Sequence, residues 1–124
     1  MSILVCVTGQ KSCERLIRRG AELAREAGVI LNVLHVVRTD GSVLGFVNEP
    51  EALEYLLRVS VENGASMYVR RSDDVASSIE YAARNENASV IVAGRAVNYN
   101  GWDLLDEVSR RLPGVRMEIL PPES

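Results

Sequence analysis

"ILVCVTGQKSCERLIRRGAELAREAGVILNVLHVV", residues Ile3 to Val37, holds two apolar runs with a helical pattern between them, and that order decides the fold. Ile3 to Val7 is continuously apolar and rich in branched side chains, the mark of a strand buried on both faces. Ser12 is placed to cap a helix whose small and apolar positions, Leu16, Ile17, Gly20, Ala21, Leu23, Ala24 and Ala27, recur at intervals of three and four. Gly28 stops it. Glu14, Arg18, Glu22 and Arg25 make a solvated opposite face, and Val29 to Val37 is a second strand of the first kind. Two doubly buried strands joined through a helix must lie parallel, with a right-handed crossover.

The same alternation continues. Asn48 and Glu51 resemble a capping box before a helix with Leu53, Leu56, Leu57 and Val61 as its stripe, ended by Gly64. Ala65 to Arg70 is a weaker third strand, and Ser72, Asp73 and Asp74 offer caps for a helix carrying Val75, Ile79, Ala82 and Ala83. Ser89 to Ala93 is a fourth strand. Trp102, Leu105, Val108 and Leu112 mark a fourth helix closed by Pro113 and Gly114, and Val115 to Leu120 alternates as a half-polar edge strand. The expected fold is therefore α/β, a doubly wound five-stranded parallel sheet with helices on both faces, in one domain over residues 1–124.

Composition removes several functions. Fourteen basic and seventeen acidic side chains are interspersed, giving a net charge of -3, which argues against a nucleic-acid partner held by electrostatics. No apolar stretch approaches the roughly twenty residues of a membrane span and no basic leader precedes the first strand, so a cytoplasmic location without membrane contact is expected. Cys6 and Cys13 form no CxxC and His35 is the sole histidine, leaving no zinc set. Cys13 falls in the first turn of the first helix, where the dipole can lower a thiol pKa, but an inert, half-buried thiol is the preferred reading.

In open α/β sheets ligands bind beyond the carboxyl ends of the strands, where the strand order reverses. If the first and fourth strands are central neighbours, that crevice is built from Thr8 to Ser12 and from Gly94 to Gly101. Gly9 allows close backbone approach, and Lys11, the only lysine, joins Ser12, Arg95, Asn98 and Asn100 as donors beside helix N-termini suited to an anion. Neither GxxxxGK[ST] nor GxGxxG is present. A second histidine, a GxSxG elbow and metal-spaced carboxylates are likewise missing, so an enzyme is not expected.

The quoted opening and "SSIEYAARNENASVIVAGR" resemble the universal stress protein family, the second stretch matching its third helix and fourth strand. The resemblance implies an adenine nucleotide alpha hydrolase-like fold with strand order 3-2-1-4-5. "SCERLIRRGAELA" resembles in particular the version embedded in bacterial potassium-sensing histidine kinases, which implies a regulatory input role and a signalling protein partner. Some of those domains bind a cyclic dinucleotide through serines of the first loop, where this chain offers Ser12 besides Thr8.

ATP-binding members use an aspartate after the first strand and GxxG, followed nine residues later by G[ST], after the fourth. Here Thr8 stands at the aspartate, Gly94 matches the first glycine, Val97 replaces the second, and Glu107-Val108 occupy the final pair. A carboxylate at Glu107 repels phosphate if it faces the crevice. The resemblance further implies a homodimer through the last strand, with Val115, Met117 and Ile119 alternating along it; the alternative places those side chains on the chain's own helices.

Two functions stay open: a non-catalytic stress-response or signalling domain without the usual ATP site, acting through a partner or small ligand, or a sensor of ATP, AMP or a cyclic dinucleotide. In the second, Gly9, Lys11, Ser12, Gly94, Arg95 and Asn98 contact phosphate and ribose.

Overall fold

The nine elements of the computed structural model follow the expected alternation: β1 (Ser2–Val7), α1 (Gln10–Ala27), β2 (Ile30–Val37), α2 (Glu49–Glu62), β3 (Ser66–Arg71), α3 (Val75–Asn85), β4 (Ala88–Gly94), α4 (Leu104–Arg111) and β5 (Arg116–Leu120). The structure describes residues 1–7, 10–37, 49–94 and 104–121; of 10–12, 49, 50 and 52 it describes the backbone only. All strand pairs are parallel, in the order β3-β2-β1-β4-β5. This is the implied order, with β1 and β4 side by side in the centre.

Alternation along the buried strands feeds two cores. Ile3, Val5 and Val7 of β1 pack with Leu31 and Val33 of β2 and Val90 and Val92 of β4 under α1 and α2, whose Leu16, Ile17 and Leu56 are wholly buried. On the other face Leu4, Cys6, Leu34 and Ile91 meet Ala76, Ile79 and Ala83 of α3 and Val108 of α4. Each large apolar side chain so buried contributes about 1.5–3 kcal/mol, which is why these positions dictate the architecture.

Several boundaries differ from the sequence reading. α1 begins at Gln10, so Ser12 lies inside its first turn instead of capping it. α4 begins at Leu104, and Trp102 lies outside the described residues. The stripe expected on α2 divides: Leu56 is buried, whereas Leu57 and Val61 are exposed. A helix turns 100° per residue, so a run spaced by four drifts off the core; the inward positions are Leu56, Val59 and Ser60, the last satisfied by donating to the Leu56 carbonyl at 2.7 Å.

Asp74 caps α3, accepting from the Ser77 N–H at 3.0 Å and from its hydroxyl at 2.8 Å. These bonds hold the Asp74 carboxyl below the usual range. Gly28 (φ 67°) and Gly64 (φ 73°) end α1 and α2 in left-handed conformations, as the sequence indicates.

Candidate functional site

At the carboxyl edge of the sheet β1 ends at Val7 and its neighbour β4 at Gly94. The chain leaves β1 into α1 on one face, and after β4 it reaches α4 on the other. The strand order therefore reverses between β1 and β4, and the crevice beyond them is the place where open α/β sheets take ligands. The first turn of α1 carries the backbone of Gln10, Lys11 and Ser12. The first N–H groups of a helix have no carbonyl partner within it, and with the positive end of the dipole they lie at that edge, a setting matched to an anionic group.

Of the candidate ligand residues, Gly94 sits at the end of β4, and Lys11 and Ser12 are placed by their backbone in the first turn of α1. Thr8, Gly9, Arg95 and Asn98 lie outside the described residues, as does Asn100.

Four contacts set the pose of α1 over this crevice. Gly20 faces the sheet so closely that a Cβ built on it would stand 2.4 Å from Val5 Cγ2 and 3.0 Å from Leu31 Cδ1. Arg15 Nη2 donates to the Pro121 carbonyl at 2.7 Å, and Arg19 Nε to Glu118 Oε2 at 2.9 Å, so α1 reaches across β4 to β5. Bonds from Arg116 and Arg19 in turn lower the Glu118 carboxyl pKa. On the other flank the Tyr55 hydroxyl of α2 donates to Glu14 Oε2 at 3.3 Å. Hydropathy alone flags none of these ties.

The first turn of α1 does not activate Cys13. Its thiol is buried in the core, and that burial pushes its pKa up to about 11 against the smaller lowering effect of a hydrogen bond with Tyr55. The inert reading of this thiol therefore holds, because desolvation of a thiolate outweighs a partial charge at the helix end. Burial likewise raises the Tyr55 phenol and takes Cys6, in β1, to about 12. His35, beside Val7 in the register of β2, is buried.

Glu107 is engaged in ion pairs within α4. Its carboxylate accepts from Arg111 Nε at 3.1 Å and pairs with Arg110. Arg111 also reaches Ser77 Oγ at 2.9 Å and Glu80 at 3.5 Å, tying α4 to α3. The Glu107 charge is thus largely balanced by Arg110 and Arg111.

Val115 and Met117 of the last segment pack against the chain's own α3–α4 core, and Ile119 is half-buried. Among the described residues β5 is an edge strand, paired with β4. Among the described residues no group of three or more His, Cys, Asp or Glu could hold a metal ion, and no helix is long and apolar enough to cross a membrane.

Comparison with known proteins agrees with this geometry. The model of the universal stress protein family matches residues 1–102. The sensor protein KdpD of Mycobacterium tuberculosis (strain H37Rv) is 33% identical over 105 residues, 85% of this chain; that match spans only 12% of the relative's length. The universal stress protein of Archaeoglobus fulgidus in complex with dAMP superposes with a TM-score of 0.64 at 20% identity, covering 99% of this chain and 98% of the other. A universal stress protein in complex with cAMP gives 0.68 at 15% identity, covering 99% and 97%.

Proposed function

The chain belongs to the universal stress protein family, and from that premise we propose that it is a non-catalytic signalling or stress-response module that works by binding a partner or small ligand and lacks the ATP site usual in the family. One combination carries this reading. The switch point is intact, with Val7 and Gly94 ending neighbouring strands under the first turn of α1, while the loop sequence has Thr8 for the aspartate and Val97 for the second glycine. Its similarity to a stretch of a sensor protein supports a regulatory role, and a homodimer through β5 and a cytoplasmic location belong to the same reading.

A second reading, an adenine or cyclic dinucleotide sensor with an atypical phosphate loop, is favoured by one observation: fold neighbours have been solved with dAMP and cAMP. Calorimetric titration with ATP, AMP, cAMP and cyclic di-AMP separates the two. The first reading expects no heat from ATP. The second expects saturable binding by one of the four, weakened strongly by Lys11→Ala and by Arg95→Glu; a ligand at about a hundred times its Kd would then add about 2.7 kcal/mol of stability. Unchanged affinity in both variants would dispose of the second reading, and tight ATP binding of the first.

A further inference from the structure

The exposed large apolar side chains are not scattered. Apart from Met1 and Ile30 at the amino end of the sheet, those among the described residues are Leu57 and Val61 of α2, Tyr68 and Val69 of β3 and Tyr81 of α3, each 42–64% exposed. They mark one edge of the sheet in three layers. Leu56, Val59 and Ser60 of α2 face inward and Tyr55 reaches toward α1, so the 100° step of a helix puts Leu57 and Val61 on the flank away from α1, on the side of the sheet edge. Met67 packs against the same α1–α2 core, and Val69 shares its face of β3. Tyr68 and Arg70 pair in register with Leu34 and Val36 on the α3 face, where the Arg70 guanidinium stacks 4.5 Å from the centroid of the Tyr81 ring.

The main chain of β3 is open on the same side. Among the described residues β3 pairs with β2 alone, and five of its six residues are exposed. The Ser72 N–H donates to the Val37 carbonyl at 2.8 Å, and the N–H and C=O groups of successive strand residues point alternately to either side. Tyr68 and Arg70 therefore turn theirs to β2, whereas Met67, Val69 and Arg71 turn theirs outward. No charge at this edge calls for an acidic partner: Arg70 is stacked on Tyr81, and Arg71 and Asp73 are each engaged within the chain.

Three apolar layers select a three-layered occupant. A lone extended segment would pair with the main chain and leave the side chains of both helix layers largely in water. A second copy matches all three layers, because two β3 strands running antiparallel about a two-fold axis perpendicular to the sheet set α2 beside α2 and α3 beside α3. The five side chains expose roughly 100 Å² each, so two copies would bury roughly 1,000 Å² before the main chain is counted, close to the ~1,200 Å² at which stable interfaces begin. We infer that the chain self-associates through β3, with Val69 on the two-fold axis, joining two five-stranded sheets into one. In this register Val69 with Val69 and Met67 with Arg71 form the hydrogen-bonded pairs, which use the outward N–H and C=O groups of all three residues. Tyr68 then closes on the other copy's Arg70 in the tighter non-bonded pair, and that guanidinium lies between two tyrosine rings. An axis at Arg70 or Arg71 would instead set arginine directly against arginine. The inference goes beyond the β5 pairing of the proposed function and assigns a separate edge.

Sedimentation equilibrium of the intact chain between about 10 μM and about 1 mM is expected to show the mass rising at least about twofold. Val69→Glu, which sets two carboxylates on the axis, should lower the mass reached at the top of that range by about half or more. Val69 lies exposed on the open edge, so the variant should melt with the dilute wild type. Amide hydrogen exchange of the unaltered chain gives a readout free of mutation: the N–H groups of Met67, Val69 and Arg71 should gain protection as concentration rises, while those of Tyr68 and Arg70, turned to β2, change less. A chain that stays monomeric to about 1 mM, or concentration-dependent protection placed away from these three residues, would overturn the inference. So would an assembly that Val69→Glu leaves intact and Ile119→Glu breaks, a result that upholds the β5 pairing of the proposed function and removes β3 from it. Loss of the β5 contact or of nucleotide binding, conversely, leaves the mass and exchange results at β3 standing.

Discussion

Gly20→Ala is the sharpest test of how α1 is seated. In an exposed helix this change raises stability by about 1 kcal/mol through helix propensity. Here the new methyl would stand 2.4 Å from Val5 Cγ2, 3.0 Å from Leu31 Cδ1 and 3.8 Å from Ile3 Cγ2. Carbon atoms rest at about 3.5–4.0 Å, so α1 must lift by roughly 1 Å or Val5 must leave its rotamer. Val5 is wholly buried in a central strand and branched at Cβ, which leaves the lift, and the lift loosens Leu16, Ile17 and Ala21 as well. Overpacking of this kind costs about 1–3 kcal/mol. After the propensity gain a net loss of up to about 2 kcal/mol remains, a fall in Tm of up to roughly 8 °C. Urea unfolding followed by circular dichroism measures it. Val5→Ala removes the clashing methyl, so the double variant should lose at least about 1 kcal/mol less than the sum of the single changes. A more stable Gly20→Ala protein, or strict additivity with Val5→Ala, would refute the close seating of α1.

Alkaline stability should reveal the two buried thiols. Burial places Cys6 at about 12 and Cys13 at about 11 against an ordinary 9.0, so the unfolded chain ionises first. Stability is therefore held below pH 9 and falls as pH rises toward those values, by up to about 1.4 kcal/mol per pH unit per thiol, and Cys13→Ala should remove its share of the slope in urea titrations between pH 8 and 10. For Asp74 the sign is opposite: its pKa is lowered by bonds from Ser77, so the cap helps above the ordinary carboxyl range and is lost as pH falls through the lowered value. Asp74→Ala should accordingly lower Tm at neutral pH and differ less from wild type at acid pH. Asn87 holds φ 52°, so Asn87→Val should destabilise by about 1–2 kcal/mol in denaturant unfolding, whereas Asn87→Gly should come close to neutral.

The fold was legible because strands buried on both faces carry an unmistakable apolar run. Ile3 to Val7 and Val90 to Ala93 contain no polar side chain, and both lie in the middle of the sheet. β3 read weakly for the same reason inverted, being an edge strand with little to bury. On α2, spacing alone joined Leu57 and Val61 to Leu56, because hydropathy does not see that Ser60 buys its buried place with a bond to the Leu56 carbonyl. Cys13 reads as an inert thiol and is one, although its depth, which lets desolvation win over the dipole, is not visible in the sequence. The candidate site was legible as a location, through the strand order, and less so as chemistry, because most of its side chains belong to connections whose shape periodicity does not encode.

The seating of α1 links these observations. A glycine brings the helix onto Val5 and Leu31, two arginines fasten one flank to Glu118 and Pro121 of the β5 segment, and Glu14 receives Tyr55 from α2 on the other. Constraints from three directions fix the axis and rotation of the helix, and with them the direction of the N–H groups in its first turn. Donors held in this way lose little freedom when an anion arrives, so the entropic cost of ordering them is small. The scaffold can therefore favour an anionic ligand without identifying it. If the chain binds a nucleotide as proposed, the sequence positions around the family's phosphate motif, Thr8, Gly9, Arg95 and Asn98, are where exchanging side chains should change which of ATP, AMP and a cyclic dinucleotide is bound.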